Sequence, residues 1–183
     1  MGRWRVFMGF LAGAVYVYFS HVASWQRMAA GLTVALLGLL LRAWAAGYLE
    51  KGKRLAQDGP YSYWRHPLYA GSFFMAAGFC LAGTGSGRTW HGFLLWLVFF
   101  ALFFVVYPRR IREEEASLEK YFGDAWRAYV KRTMRFLPRL IPLKRENPDG
   151  FLLGRYRKNG EYNAALGYLA GAGLLLLKLK LGF

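Results

Sequence analysis

The sequence predicts an all-α polytopic integral membrane protein with about five transmembrane helices. Of its 183 residues, 56% are hydrophobic and only 19% are charged. The apolar residues also occur in blocks of about 20, the length of helix that crosses the hydrocarbon core of a bilayer. A chain of this size normally forms one domain, so residues 1–183 are predicted to be a single membrane domain.

The predicted spans follow the apolar blocks in chain order. A cleaved signal peptide is the alternative for the first block, because Val22-Ala23-Ser24 resembles a cleavage site. A second apolar block follows at once, which favours an uncleaved span. The last block carries Lys178 and Lys180 near its end, so a helix lying in the interface is the alternative there. The five predicted spans are residues 4–22, 28–49, 68–82, 90–107 and 163–181.

The distribution of lysine and arginine predicts the orientation in the membrane. The amino terminus, the loop at 50–66 and the region after Tyr107 are basic, whereas the loops at 20–27 and 83–89 hold one basic residue each. Basic loops remain on the cytoplasmic side. We therefore expect these three basic regions to face the cytoplasm of a bacterial or archaeal cell.

The net charge of +15 does not predict a nucleic-acid partner. Fourteen of the 25 basic residues lie between Arg109 and Lys158, beside the membrane, where such residues bind anionic lipid headgroups. Cys80 is the sole cysteine, and the three histidines lack metal-ligand spacing, so no disulfide and no metal site are expected. Residues 83–87 are glycine-rich but lack both nucleotide-binding fingerprints, which predicts a hairpin between spans.

The stretch from Gly59 to Gly71 places titratable side chains at the mouth of the third span. It reads Gly-Pro-Tyr-Ser-Tyr-Trp-Arg-His-Pro-Leu-Tyr-Ala-Gly. Pro67 is expected to begin a helix, because its missing N–H falls where no intrahelical bond is needed. Polar groups at this depth are costly unless satisfied, which makes them candidates for function. An interfacial belt of tyrosine, tryptophan and arginine is the alternative.

Residues 108–131 predict an amphipathic helix outside the bilayer, since apolar residues recur at spacings of three and four. Arg110 and Glu114 lie four apart and are expected to pair on one face, and Asp124 is expected in a turn after Gly123. A solvated charged face is the ordinary interpretation of such a run. The run nevertheless shares a membrane face with the Gly59–Gly71 stretch. The apolar positions are Ile111, Leu118, Phe122, Ala125, Trp126, Tyr129 and Val130.

Arg42 is the charged residue inside the second span. It lies about two turns from the end of that span, so its side chain can snorkel toward the basic stretch at 51–54. The alternative is that it faces a protein interior, where it would be a functional candidate.

These two polar clusters together resemble the isoprenylcysteine carboxyl methyltransferase family, part of a wider group with the phospholipid N-methyltransferases. The resemblance runs from about Leu36 to Pro138 and leaves the tail, 139–183, outside. Where the family often has Val-Pro, this chain has Thr133-Met134. The matching residues are Gly59-Pro60-Tyr61, Arg65-His66-Pro67-Leu68-Tyr69-Ala70-Gly71, Arg110, Glu114-Glu115-Ala116-Ser117-Leu118, Phe122-Gly123, Tyr129, Arg132 and Phe136-Leu137-Pro138.

The resemblance implies an integral membrane methyltransferase that uses S-adenosylmethionine without a Rossmann domain. His66 and Tyr69 would bind the methionine part of the cofactor and Glu114 its amino group. Arg110 and Glu115 match the catalytic arginine and glutamate of the family. The full expected cofactor set is Tyr61, Arg65, His66, Pro67, Tyr69, Gly71 and Glu114, and Trp64 and Arg42 are the expected substrate-binding residues.

The chemistry of the residues agrees with this expectation. S-adenosylmethionine carries a carboxylate, an ammonium and a sulfonium, and the two clusters supply donors, acidic groups and aromatic faces. A carboxylate acceptor would need a positioning cation, which Arg110 oriented by Glu115 would provide. An amine acceptor would need Glu115 as a base. A lipophilic acceptor would enter from the bilayer along the third and fourth spans.

Two other function classes stay open at the level of sequence. A membrane reductase of the sterol-reductase type would bind a nicotinamide cofactor at a related core. A non-catalytic membrane interaction protein would use the motif only as an interfacial belt. The identity of the acceptor and the oligomeric state do not follow from the residues.

Overall fold

The computed structural model describes residues 13–85, 89–135, 137–144 and 150–182, and these residues form helices and loops without a β-strand. A short 3₁₀ helix, Gly59–Ser62, precedes α3, and a π-helical turn, Leu102–Val106, joins α4 to α5. The all-α prediction is confirmed. The helices are α1 (13–19), α2 (Trp25–Tyr48), α3 (Pro67–Gly83), α4 (Thr89–Ala101), α5 (Tyr107–Arg132), α6 (Leu153–Lys158) and α7 (Tyr162–Leu181).

Three described stretches of helix are long and apolar enough to cross a membrane: α2, the continuous helix Trp90–Arg132, and α7. The apolar α3 has 17 residues. At 1.5 Å per residue its length is about 25 Å, slightly short of a hydrocarbon core of about 30 Å. The membrane class is therefore confirmed, but a count of five spans is not established. Residues 4–12 of the first predicted span lie outside the described residues.

Helices α2 and α3 pack backbone against backbone because small residues face each other. A Cβ atom at Gly78 would lie 2.4 Å from the backbone nitrogen of Ala35, and one at Gly31 would lie 2.5 Å from the carbonyl oxygen of Gly78. A Cβ atom at Gly38 would lie 2.5 Å from the carbonyl oxygen of Gly71. Only hydrogen fits at these places, so the glycines set the distance between the two helices.

The fourth predicted span and the predicted outer helix are joined without a break at Pro108 rather than being two separate helices. Pro108 has no N–H to donate and its ring crowds the preceding turn. The turn before it widens accordingly, and the Tyr107 N–H bonds to the Leu102 carbonyl, five residues back. Gly123, with φ of 48° and ψ of −120°, interrupts the helical path at the predicted turn.

The outer half of α5 packs its apolar side against the chain that precedes α3. Leu55, Trp126 and Tyr129 form a buried cluster. Trp126 and Tyr129 belong to α5, and the spacing of its apolar residues predicted that this side of the helix is the apolar one. The half-buried residues around this cluster are Leu118, Phe122, Val130 and Leu143.

The segment 150–161 docks on the end of α2 through polar contacts. Leu152 donates its N–H to the Gly47 carbonyl at 3.0 Å. The Asn159 side-chain amide donates to the Ala46 and Leu49 carbonyls at 3.0 and 2.9 Å. Carbonyls at the end of a helix lack the regular helical partners, and besides the Leu49 N–H on Ala46 it is this segment that satisfies them and fixes the entry to α7.

Candidate active site

The carboxylate of Glu115 is the centre of an ionic cluster that joins both predicted polar clusters and is shielded on the side of Arg65 but open on the side of Arg135. Its Oε1 accepts from Arg65 Nη1 at 2.9 Å and from Arg135 Nε at 3.0 Å. A second Arg135 nitrogen, Nη2, binds Oε2. The side chains of Arg65 and Glu115 are 11% and 12% exposed. Two guanidinium groups on one shielded carboxylate form charge-assisted hydrogen bonds, which are roughly twice as strong as neutral ones.

His66 adds a third partner to the same carboxylate, with its Nε2 3.0 Å from Glu115 Oε1. A carboxylate between two guanidinium groups only accepts, so Nε2 carries the proton and Nδ1 is left as an acceptor. Burial lowers the pKa of His66, and this outweighs the opposing effect of the hydrogen bond that His66 donates to Glu115. The imidazole is therefore neutral at pH 7.

Arg65 is held in place by the segment that follows α5. Its Nε and Nη2 donate to the Thr133 carbonyl at 3.2 and 2.9 Å, and its backbone N–H donates to the Met134 carbonyl at 3.1 Å. The departure from the family's Val-Pro pattern therefore falls on the residues that orient this arginine through their carbonyls. Sequence reasoning did not identify Arg135, two residues further along the same segment, as a site residue.

Tyrosine side chains form the wall of the site. Tyr61 is buried, and the Tyr129 hydroxyl donates to its carbonyl at 2.7 Å. Burial raises the pKa of Tyr61 well above its usual value, and the Glu114 carboxylate adds to this. The rings of His66 and Tyr69 meet edge to face at 5.7 Å, and those of Tyr69 and Tyr107 at 5.2 Å.

The structure places Arg110 differently from the sequence-based expectation. Its Nη1 pairs with Glu113 at 3.1 Å rather than with Glu114, and both side chains of this pair are more than half exposed. The guanidinium groups on Glu115 come from Arg65 and Arg135 instead. A helical register explains the difference, since Glu115 lies on the buried side of α5 and Arg110 on the exposed side.

Glu114 lies outside the ion pairs of the described residues. Its side chain is exposed on α5, yet it is close enough to raise the pKa of both Tyr61 and His66. An acidic side chain at the edge of a cluster that holds two guanidinium groups can bind a ligand cation. The role in cofactor binding that the resemblance implies for Glu114 stays a prediction.

Arg42 does not snorkel. Its Nε and Nη2 form a bidentate pair with Glu161 at 3.0 and 2.7 Å, and its Nη1 bonds to the Ser72 hydroxyl. The Glu161 side chain is 10% exposed. The tail thus supplies a carboxylate that spacing within the core could not predict, because 119 residues separate the partners.

An apolar cavity of about 290 Å³ lies beside this pair. It is bounded by side chains of α2, α3 and α7, whereas the sequence predicted an acceptor path along the third and fourth spans. Trp64, the other expected substrate-binding residue, lies away from the cavity and accepts a bond from Tyr129 through its carbonyl. The residues that line the cavity are Arg42, Ser72, Met75, Ala76, Phe79 and Ala164.

Pro67 and Gly71, the two other predicted cofactor residues, shape the backbone of the site. Pro67 occupies the first turn of α3, as predicted, with His66 as the residue before the helix. A Cβ atom at Gly71 would lie 2.6 Å from the Arg42 side chain. Among the described residues, no group of three or more His, Cys, Asp or Glu side chains is placed to hold a metal ion.

Comparison with known proteins assigns the family. The sequence profile of the phospholipid methyltransferase family matches residues 26–125, more than half of the chain. The chain belongs to this methyltransferase family. The matched part contains α2, α3 and α4 and carries Arg65, His66 and Glu115, while Arg135 and Glu161 lie beyond it.

Individual relatives agree with this assignment. The protein-S-isoprenylcysteine O-methyltransferase of Schizosaccharomyces pombe is 37% identical over 93 residues, 51% of this chain and 36% of that protein. This match supports the resemblance to the isoprenylcysteine carboxyl methyltransferases that the motifs indicated. The predicted class, a membrane methyltransferase, is therefore confirmed at the level of family.

Two longer matches are to proteins named for metal resistance. The nickel-cobalt-cadmium resistance protein NccN of Alcaligenes xylosoxydans xylosoxydans is 30% identical over 165 residues, 87% of this chain and 74% of that protein. The cobalt-zinc-cadmium resistance protein CzcN of Cupriavidus metallidurans is 30% identical over 166 residues, 87% of this chain and 73% of that protein. A match of this coverage reaches part of the tail. No solved structure matches the chain significantly.

Proposed function

We propose that this membrane protein transfers a methyl group from S-adenosylmethionine to a lipophilic acceptor at the cytoplasmic face of the membrane. The observation that supports this best is the largely buried carboxylate of Glu115, bound by Arg65, His66 and Arg135 at the start of α3. This cluster contains the residues through which the chain resembles a methyltransferase. Its basic surroundings favour the cytoplasmic side.

The residues around Glu115 fit the chemical groups of S-adenosylmethionine, which supplies a methyl group on a sulfonium when bound. Glu114, without an ion pair among the described residues, would take the ammonium group. Arg65 and Arg135 together exceed the charge of Glu115 and would attract the carboxylate. The edge-to-face rings of Tyr69 and Tyr107 would face the sulfonium.

In this proposal Glu115 positions other groups rather than removing a proton. Its carboxylate accepts four hydrogen bonds from three side chains, three of them on Oε1. Although burial acts to raise the pKa of Glu115, the hydrogen bonds from Arg135 and His66 lower it below its usual value, so the carboxylate is a weak base. An acceptor carboxylate is already nucleophilic and needs only alignment, which alone contributes several kcal/mol to such reactions, up to about 11. We therefore favour the carboxylate of an isoprenylcysteine-like compound over a lipid amine as acceptor.

Calorimetry on detergent-purified protein tests the cofactor assignment. We expect saturable binding of S-adenosylmethionine to the native chain and to Glu119→Gln, an exposed control, but not to His66→Ala. NADPH is titrated separately. Binding of NADPH in place of S-adenosylmethionine would support the reductase alternative, and binding of neither by folded protein would favour a non-catalytic role.

Transfer of labelled methyl groups in reconstituted vesicles tests the acceptor. A farnesylated cysteine derivative and phosphatidylethanolamine are supplied in parallel. Label on the prenylated carboxylate supports the preferred acceptor, whereas label on the amine alone would refute the argument that Glu115 is not a base.

We further propose that this transfer contributes to metal tolerance. Support comes from the 30% identity to two metal-resistance proteins over 87% of the chain. The test compares growth of a cobalt- and cadmium-sensitive bacterium that expresses the native chain or Glu115→Gln at equal levels. Tolerance that requires Glu115 supports the link, and equal growth of both strains contradicts it.

A further inference from the structure

The chain that follows α5 forms a strap across the entrance of α3. The strap comprises the described residues 133–135 and 137–144. Besides holding Arg65, it bonds through its backbone to the motif: Arg139 donates its N–H to the Tyr63 carbonyl at 3.0 Å, and Leu143 donates to the Ser62 carbonyl at 3.2 Å. These bonds tie the strap alongside residues 62–65.

The attachment fixes the depth of the strap relative to the bilayer. Residues 62–65 are separated only by His66 from Pro67, the first residue of α3. Since α3 is only about 25 Å long, its first residues lie at the boundary of the hydrocarbon core if the helix spans. In that arrangement the strap is level with the lipid headgroups rather than out in the water.

The two sides of the strap differ in character. Thr133 is buried and Leu143 packs against the Trp126 cluster. The outward side carries large apolar side chains, of which Leu140 is 97% exposed and Ile141 69%. The other large apolar side chains exposed on the strap are Met134 and Leu137.

Basic residues alternate with these apolar side chains. The sequence from Lys131 to Arg145 contains six lysine or arginine residues and no aspartate or glutamate. Apolar side chains between cations are typical of segments that lie in the interface of an anionic membrane. A protein partner would have to bring an acidic surface to a depth that the headgroups already occupy.

We propose that the outward side of the strap docks on the anionic headgroup layer of the bilayer that holds the protein, with Leu140 and Ile141 inserted. This docking is a property beyond methyl transfer. It couples the lipid composition of the bilayer to the site, because Arg135 of the strap binds Glu115. A bilayer with few anionic lipids would hold the strap less firmly.

Spin labels measure the docking directly. Leu140→Cys and Ile141→Cys are each made in a Cys80→Ala background and labelled with a nitroxide, with Tyr121→Cys as the control. Tyr121 is 76% exposed and lies on α5, outside the strap. Each protein is studied in detergent, in phosphatidylcholine vesicles and in vesicles with one quarter phosphatidylglycerol, by collision with oxygen and with a water-soluble nickel chelate.

In the vesicles with phosphatidylglycerol we expect the label at 140 or 141 to lie about 5–10 Å below the phosphates, protected from nickel, while the label at 121 stays in water. Nickel access equal to that at position 121 would overturn the proposal. Protection from oxygen as well as from nickel would also overturn it, because protein rather than lipid would then cover the strap. Equal depth with and without phosphatidylglycerol would refute the anionic part.

Discussion

Replacement of Arg42 by methionine is expected to destabilise the protein more than replacement of both partners in its ion pair. In the native chain Arg42 holds Glu161 by two hydrogen bonds, and the two side chains are 23% and 10% exposed. Methionine keeps most of the volume of arginine but leaves the Glu161 carboxylate enclosed without its partner. An unpaired charge in this environment is costly.

The expected magnitude follows from the exposure of the pair. Loss of one partner of a buried ion pair costs about 3–5 kcal/mol. Because Arg42 is partly exposed, we expect the lower end, about 3 kcal/mol, which lowers Tm by roughly 6–12 °C for a chain of this size. The double variant Arg42→Met, Glu161→Leu removes both charges, and its cost should be at least about 1 kcal/mol smaller.

Thermal unfolding in detergent, followed by tryptophan fluorescence, measures these differences. The matched control is Arg127→Met, which breaks an ion pair with Glu119 whose side chains are 61% and 49% exposed. An exposed pair contributes at most about 1 kcal/mol, so Tm should change by no more than about 4 °C. All variants are compared at one protein and detergent concentration.

A double variant that loses as much stability as the two single variants together would refute this expectation, because the two substitutions would then act independently. The expectation would also be refuted if Arg42→Met lowered Tm no more than Arg127→Met. Either outcome would mean that the carboxylate of the tail does not depend on Arg42 for its burial.

Three further predictions concern the site and the helix packing. Glu115→Gln should lower the rate of methyl transfer by about 10²–10³-fold, because Arg65 and Arg135 lose their common partner. The control Glu113→Gln should leave the rate within a factor of two, and comparable losses in both variants would contradict the positioning role. Burial lowers the pKa of His66, so below the usual value of 6.5 the unfolded chain binds a proton that the folded chain does not, and the stability should decrease as the pH is lowered. Tm measured from pH 8 to 5.5 should depend less on pH for His66→Gln than for the native chain, and parallel curves would disprove the linkage. Gly78→Ala should lower the free energy of unfolding by about 1–3 kcal/mol through overpacking. Gly167→Ala should not destabilise the protein, because a Cβ atom there meets nothing within 4 Å. Equal Tm values for the two variants would refute the close contact of α2 and α3.

Local patterns in the sequence predicted the elements of this fold well. Hydropathy placed α2, α3 and α7 within three residues of their ends, because each helix must satisfy its own backbone bonds inside a bilayer. The same information failed at the junction of α4 and α5. Proline predicts a helix start there, but a π-helical turn absorbs it and the helix continues.

The candidate site was predicted in its composition and less well in its pairing. Arg65, His66 and Glu115 were expected together, and in the structure Arg65 and His66 both contact Oε1 of Glu115. Arg110 was expected there too, because the resemblance matches it to the catalytic arginine of the family. Spacing along a helix predicts which residues are neighbours but not which side of the helix turns inward, and Arg110 lies on the exposed side with Glu113. Arg135 follows α5 in an irregular segment, where no periodicity indicates the direction of a side chain.

The sequence by itself determined the membrane class, the family and the two polar clusters, since apolar length and short motifs are local properties. Tertiary structure decided which charges meet. Glu161 is 119 residues from Arg42, and Arg135 reaches Glu115 only because the strap bonds to residues 62–65. Ion pairs between distant segments depend on how helices pack and where a loop is tied, and this information is distributed over the whole chain.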